Sequence, residues 1–197
     1  MIDVLAQVGA KLREHFARAG ITTEPDQAGV TFLGTERIDV LRFGPDEDGV
    51  SHYVSVGCSR HPMFDPTEMV TDALHGPRAE AVVALRGQSP KGLVRSLAIL
   101  AAAPAVEGLI LESDALIDLE TPLWDSAPFT AFLLGRSDID DIPLTAPLPP
   151  VAVLSATPIT ATEAAWVRLK GADAMRDAWQ QDGVDVFDPR RRAANPT

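Results

Sequence analysis

Hydrophobic and polar positions fall into strand-like and helix-like blocks along this chain, and the sharpest blocks lie toward its C-terminal end. Val151, Ala152, Val153 and Leu154 are apolar at every position, the pattern of a strand covered on both faces. Thr160 and Glu163 follow at capping-box spacing. The threonine oxygen can accept from the backbone N–H three residues on while the glutamate reaches back, so a helix is predicted to start there. Trp166, Leu169, Ala172, Met175 and Trp179 recur at helical spacing and predict one apolar stripe, with Gly171 permitting a change of direction within it. At the other end, Leu5, Val8, Leu12 and Phe16 predict an amphipathic first helix that stops at Gly20.

Between these ends the chain reads as strand-rich. Pro25–Gly29 predicts a turn, and short strands are expected near Val30–Leu33, Ile38–Phe43 and Val50–Gly57, with Gly44–Gly49 as a connecting loop. Arg78–Leu85 predicts a further strand. Ser89 and Pro90 predict a helix start, with Leu93, Leu97 and Leu100 as its buried stripe. Leu109–Leu119 mixes apolar and acidic residues and has room for one or two strands. Phe129–Leu134 and Val151–Ser155 complete the sheet, and the proline-rich Pro143–Pro150 is a rigid connector. No repeat or low-complexity linker divides the chain. The expected fold is α+β: a single domain over residues 1–192, with a mixed, mostly antiparallel central sheet flanked by helices, and a disordered tail at 193–197.

Composition narrows the class. The 197 residues are 46% hydrophobic, enough for a substantial core. No apolar run approaches the roughly 18–20 residues of a membrane span, and Met1–Leu5 lacks the basic-then-apolar start of a signal peptide. One cysteine excludes an internal disulfide framework and fits a reducing compartment, so a cytoplasmic protein is expected. The net charge of −11, from 17 basic and 28 acidic side chains, argues against nucleic acid, which demands clustered Lys and Arg. The tight basic run Arg190–Arg192 reads as a solvated, frayed end.

Candidate chemistry is sparse. A Cys58 nucleophile needs a base, and His52 lies six residues away, about 20 Å along a strand. His52, Val54 and Val56 share a strand face that Cys58 is expected to continue. His61 is nearer but has no recognisable orienting partner. Cys58 therefore reads as a buried structural thiol. His52, His61, His75 and Cys58 match no zinc spacing, and Gly135-Arg-Ser lacks the second glycine and lysine of a phosphate loop. No catalytic residue, cofactor or metal is expected. Glu80 sits in an otherwise apolar strand and predicts an ion pair with Arg78, Arg60 or Arg86. Glu112, Asp114, Asp118, Glu120 and Asp125 crowd one region, with Trp124, Pro128 and Phe129 beside them. An aromatic anchor in a charged rim is a recognition pattern, although Trp124 also fits the core.

Several stretches, in order, resemble one family. They are Val56–Met63 (Val-Gly-Cys-Ser-Arg-His-Pro-Met), Arg78–Leu85, Phe129–Leu134 followed by Gly135, Ile159–Ala165, Gly171–Arg176 and Val186–Arg191. Together they are similar to the bacterial type of Suppressor-of-fused-like domain, most clearly over residues 25–192, while Leu111–Leu119 departs from the family pattern near Ser113. The resemblance implies a non-catalytic protein-binding domain. Eukaryotic members sequester a transcription regulator, and bacterial members act as immunity proteins against polymorphic toxins. The implied partner is another protein, a toxin domain being one candidate, with no nucleic acid and no membrane. Glu112, Asp114, Asp118, Glu120 and Trp124 are its expected contact residues, with exposed sheet edges second. Two other readings compete: a small cytosolic hydrolase or transferase using the Cys58–His61 loop or the acidic cluster, and a scaffold that only dimerises.

Overall fold

Seven strands join into one sheet in the computed structural model, which describes residues 3–68, 72 and 74–195. β1 (Asp26–Val30), β2 (Ile38–Phe43), β3 (Val50–Val56) and β4 (Arg78–Arg86) lie side by side in sequence order, each antiparallel to the next. β5 (Leu116–Asp118), β6 (Phe129–Arg136) and β7 (Val151–Thr160) complete the spatial order β1-β2-β3-β4-β7-β6-β5. β7 is antiparallel to β6 but parallel to β4, so the sheet is mixed and mostly antiparallel. The fold is a single α+β domain, as expected.

Helices cover both faces. α2 (Leu93–Glu107) lays Leu93, Leu97 and Leu100 on Val40, Tyr53, Ala81, Val83 and Leu85, the residues that β2, β3 and β4 turn to one side. α1 (Val4–Arg18) packs Val8, Leu12 and Phe16 on the opposite side against Phe43, Val54, Val82 and Val153. α3 (Ala161–Lys170) and α4 (Ala172–Gln181) share that second side and cover Ala131, Leu133 and Ile159. β7 contributes to both cores through alternate residues, which is why its start is apolar throughout.

Four local expectations are corrected. The segment from Asp26 is the edge strand β1, not a turn. Its residues are largely exposed, so a buried alternation is missing, yet Asp26 opposite Arg42 through Val30 opposite Ile38 is regular pairing. α2 begins at Leu93, because Gly92 at φ 104° supplies the bend that Ser89 and Pro90 were expected to provide. The Thr160–Glu163 capping box forms as predicted, but Leu169 is 73% exposed. Gly171, at φ 91°, resets the helical phase, so the buried residues are Ala164 and Val167, then Ala172, Met175, Ala178 and Trp179. Cys58 faces the α2 core, opposite Val54 and Val56, because Gly57 and a one-turn 3-10 helix at Cys58–Arg60 redirect the chain.

The C-terminal basic run is corrected at Arg191 only, since Arg190 and Arg192 are exposed as expected. Arg191 is buried, and its guanidinium reaches Glu163 Oε1 and Oε2 at 2.8 and 3.0 Å and the Pro158 carbonyl at 2.8 Å. It stacks 4.9 Å from the Phe129 ring centroid. Ala194 is buried and its N–H donates to Glu163; Pro196 and Thr197, the end of the expected tail, lie outside the described residues.

Candidate functional site

The acidic stretch forms the rim of the sheet beyond β6. β5 is the last strand in the sheet, only three residues long, and among the described residues its edge faces no further strand. Asp118 ends β5 and accepts from Arg168 of α3 at 2.7 Å. That hydrogen bond and charge hold the Asp118 carboxyl below its usual range, against a smaller opposing effect of burial. Asp114 lies 2.6 Å from Arg176 of α4, whose other Nη donates to the Leu134 carbonyl at 3.1 Å. Lys91 stands 3.8 Å from Asp125. Glu112 and Glu120 are exposed, and among the described residues neither carboxylate has a hydrogen bond or ion pair within the protein. The rim is thus graded, with paired acids beside the helices and free ones outside.

Backbone strain collects in the same place. Among the described residues, the non-glycine positions with left-handed φ are Asp114 (73°), Glu120 (57°) and Ser126 (62°). Aspartate tolerates this region, whereas glutamate and serine adopt it less readily, and such outliers concentrate at functional surfaces. Trp124 does not join the rim. It is buried in the α2 core with its ring centroid 5.4 Å from that of Phe129, so it supports the loop from beneath. Arg168 and Arg176 escaped sequence reasoning because nothing local links them to acids fifty and 62 residues earlier.

The Cys58–His61 loop is arranged differently from a catalytic pair. Burial pushes the Cys58 thiol well above its ordinary value, and the nearby Glu80 carboxylate adds to the shift. His61 is exposed and bonds Glu36 at 2.7 Å. His52 bonds Asp46 at 3.1 Å, and His75 bonds Asp72 at 2.8 Å. Among the described residues, no three His, Cys, Asp or Glu side chains gather as a metal site would need.

Glu80 corrects the ion-pair expectation. Its Oε1 accepts from Gly57 N, Ser59 N and Ser59 Oγ at 2.8, 2.9 and 2.6 Å, and its Oε2 bonds Ser55 Oγ at 2.6 Å. Arg78 instead donates to the Ser59 and Arg60 carbonyls, both at 2.8 Å. Complete burial without a cation raises the Glu80 carboxyl above its usual value, despite these donors. Its geometry is that of a loop anchor: it ties the end of β3 and the 3-10 turn to β4.

Comparison with known proteins adds family and fold. The model of the Suppressor of fused protein (SUFU) family matches residues 34–192. A SUFU homologue from Neisseria gonorrhoeae superposes with a TM-score of 0.67 at 16% identity, over 96% of each chain. A chain of the Sufu–Fu complex gives 0.65 at 14% identity, over 96% of this chain and 91% of the other. Drosophila Suppressor of Fused gives 0.67 at 14% identity, where 98% of this chain spans 51% of that one. A search of curated proteins finds no match. Among the described residues no helix is long and apolar enough to cross a membrane.

Proposed function

This chain belongs to the Suppressor of fused family, and on that premise we propose that it acts without catalysis, by binding another protein stoichiometrically through its acidic rim. The observation that carries the surface is the coincidence, in residues 112–126, of unpaired acids and left-handed non-glycine backbone on an open sheet edge. A relative seen in a Sufu–Fu complex supports protein binding as the mode of action. Free carboxylates at Glu112 and Glu120 suit a basic partner surface, and the net charge of −11 steers such a partner inward. Asp114 and Asp118 hold the rim to α4 and α3 and present their remaining lone pairs beside it.

The finer reading, which the family resemblance implies, is that the partner is a toxin domain and that this chain is its cytoplasmic immunity protein. A gene for a large secreted toxin next to this one, and rescue of a host expressing that toxin's domain, would support it. The Cys58–His61 hydrolase reading is disfavoured by the buried, high-pKa thiol and by the engagement of His61 with Glu36. The test of the proposal is affinity capture from the native lysate, then titration of the recovered protein. Saturable one-to-one binding is expected. No partner, together with turnover of a small molecule that is lost in Cys58→Ala or His61→Ala, would overturn it.

A further inference from the structure

The sheet divides at the parallel junction of β4 and β7. The β4–β7 ladder ends at Val82 opposite Ser155, yet β4 runs on to Arg86 with β3, and β7 runs on to Thr160 with β6. Beyond Ser155 the two strands have separate neighbours. Pro158 lies in that stretch, where its missing N–H breaks no β4–β7 bond. The chain also leaves these strands in opposite directions: α2 follows β4 on one face, while α3 and α4 follow β7 on the other. A crevice at the C-terminal ends of parallel strands whose connections part in this way is the usual ligand position in open sheets.

Such a crevice is present. It measures about 560 Å³, within the roughly 300–1,000 Å³ typical of ligand pockets. Its floor is made of small side chains, Ala84, Ser155 and Thr157, which leave the sheet bare between α1 and the segment after α4. Phe16 and Ile21 form one wall and Val186 and Phe187 the other, with Phe187 40% exposed at the mouth. The Arg86 N–H donates to the Phe187 carbonyl at 2.8 Å, fixing that wall to the free end of β4. At one end the His52–Asp46 pair lies beside Phe16, the His52 and Phe16 ring centroids 5.2 Å apart. Asp138 is exposed at the mouth, Asp140 is close enough to act on His15, and Arg136 lines the crevice together with Asp46 and Asp138. Burial and the charge of Arg18 hold the His15 imidazole below its ordinary pKa, so it adds little positive charge. Apolar walls, a hydroxyl-bearing floor and a lining in which Asp46 and Asp138 outnumber Arg136 define the occupant. Arg176, which pairs with Asp114, has one Nη 3.1 Å from where a side chain on Gly135, the residue opposite Ser155, would begin.

We propose that this crevice is a second recognition site, which takes an apolar, ring-sized side chain of a protein partner with a basic residue next to it in the partner's chain. The assignment rests on the protein-binding reading above but is tested without the partner. The experiment titrates the ¹⁵N-labelled full chain with acetyl-Phe-Arg-amide, acetyl-Phe-Glu-amide and indole and maps amide shifts. The basic dipeptide should shift His52, Ala84, Ser155 and Thr157 and bind about five-fold more tightly than the acidic one, the size of one partly exposed charge pair. Ala84→Trp, which fills the floor, should abolish those shifts. Asp138→Arg, at an exposed position, should erase the preference while leaving ring binding, and it carries the test if the tryptophan variant does not fold. Shifts confined to other surfaces, equal binding of both dipeptides, or indole binding as tightly as acetyl-Phe-Arg-amide would overturn the assignment. A recovered protein partner that binds Ala84→Trp and wild type equally would remove the crevice from the interface and leave protein binding intact. Failure to recover any partner would count against protein binding itself.

Discussion

Arg191 and Glu163, 28 residues apart in sequence, fasten the C-terminal segment to the start of α3 through two guanidinium–carboxylate bonds of 2.8 and 3.0 Å, both side chains being buried. The same carboxylate accepts from Thr160 N at 2.9 Å, Trp179 Nε1 at 3.0 Å and Ala194 N at 2.9 Å. One side chain therefore caps a helix, orients the α4 indole and receives the end of the chain.

Removing Arg191 leaves a buried carboxylate with its cation gone. Arg191→Ala should lower unfolding free energy by about 3 kcal/mol, the low end for broken buried pairs because three N–H donors remain. Urea denaturation at pH 7 checks this, and a change below about 0.5 kcal/mol, the scale of ordinary surface substitutions, would contradict it. Burial pushes the Glu163 carboxyl up, but Arg191 and the backbone donors outweigh it, so its folded pKa lies below the usual value. Its contribution is present above the unfolded value of about 4.3 and lost as pH falls through the folded one.

Glu80 should act with the opposite sign. Its raised folded pKa means the native state holds the proton more tightly than the unfolded chain. Stability contributed by this group therefore falls as pH rises from about 4.3 through the folded pKa. Comparing urea midpoints of wild type and Glu80→Gln at pH 4 and pH 7 isolates the effect: the wild-type advantage should be smaller at pH 7. Glu80→Ala, which orphans the Gly57 and Ser59 N–H groups, should cost about 3 kcal/mol or more at either pH.

The sequence carried the architecture well where burial is two-sided or amphipathic. β2, β4, β7 and α1 announced themselves because their apolar periodicity is imposed by cores on known sides. β1 was illegible since an exposed edge strand needs no apolar face. Arg191 and Glu80 misled for one reason: a charge run and a buried acid look alike in sequence whether solvated, paired with a cation or satisfied by backbone N–H groups. The rim acids were visible as composition, but their pairing to Arg168 and Arg176 depends on helices packed from far along the chain.

Cys58 should be slow to label. Its thiol is buried and its pKa raised well above normal, so little thiolate is exposed at neutral pH. Reaction with a disulfide thiol reagent at pH 7 should be slow for the native protein and fast in denaturing urea. Rapid native labelling would show an accessible, activated thiol and revive the enzymatic reading.

The central claim is that the rim binds a protein partner by charge. Its most direct test measures association rate and affinity of the recovered partner for wild type and for Glu112→Arg/Glu120→Arg, at about 0.05 and 0.3 M salt. These two carboxylates have no bond within the described protein, so their reversal should leave the urea midpoint near wild type. The account predicts wild-type association that slows as salt rises past ~0.15 M, where the Debye length is about 8 Å, and at least ten-fold weaker binding by the variant, about 1.4 kcal/mol. Association indifferent to salt, with the variant binding as tightly as wild type, would contradict it.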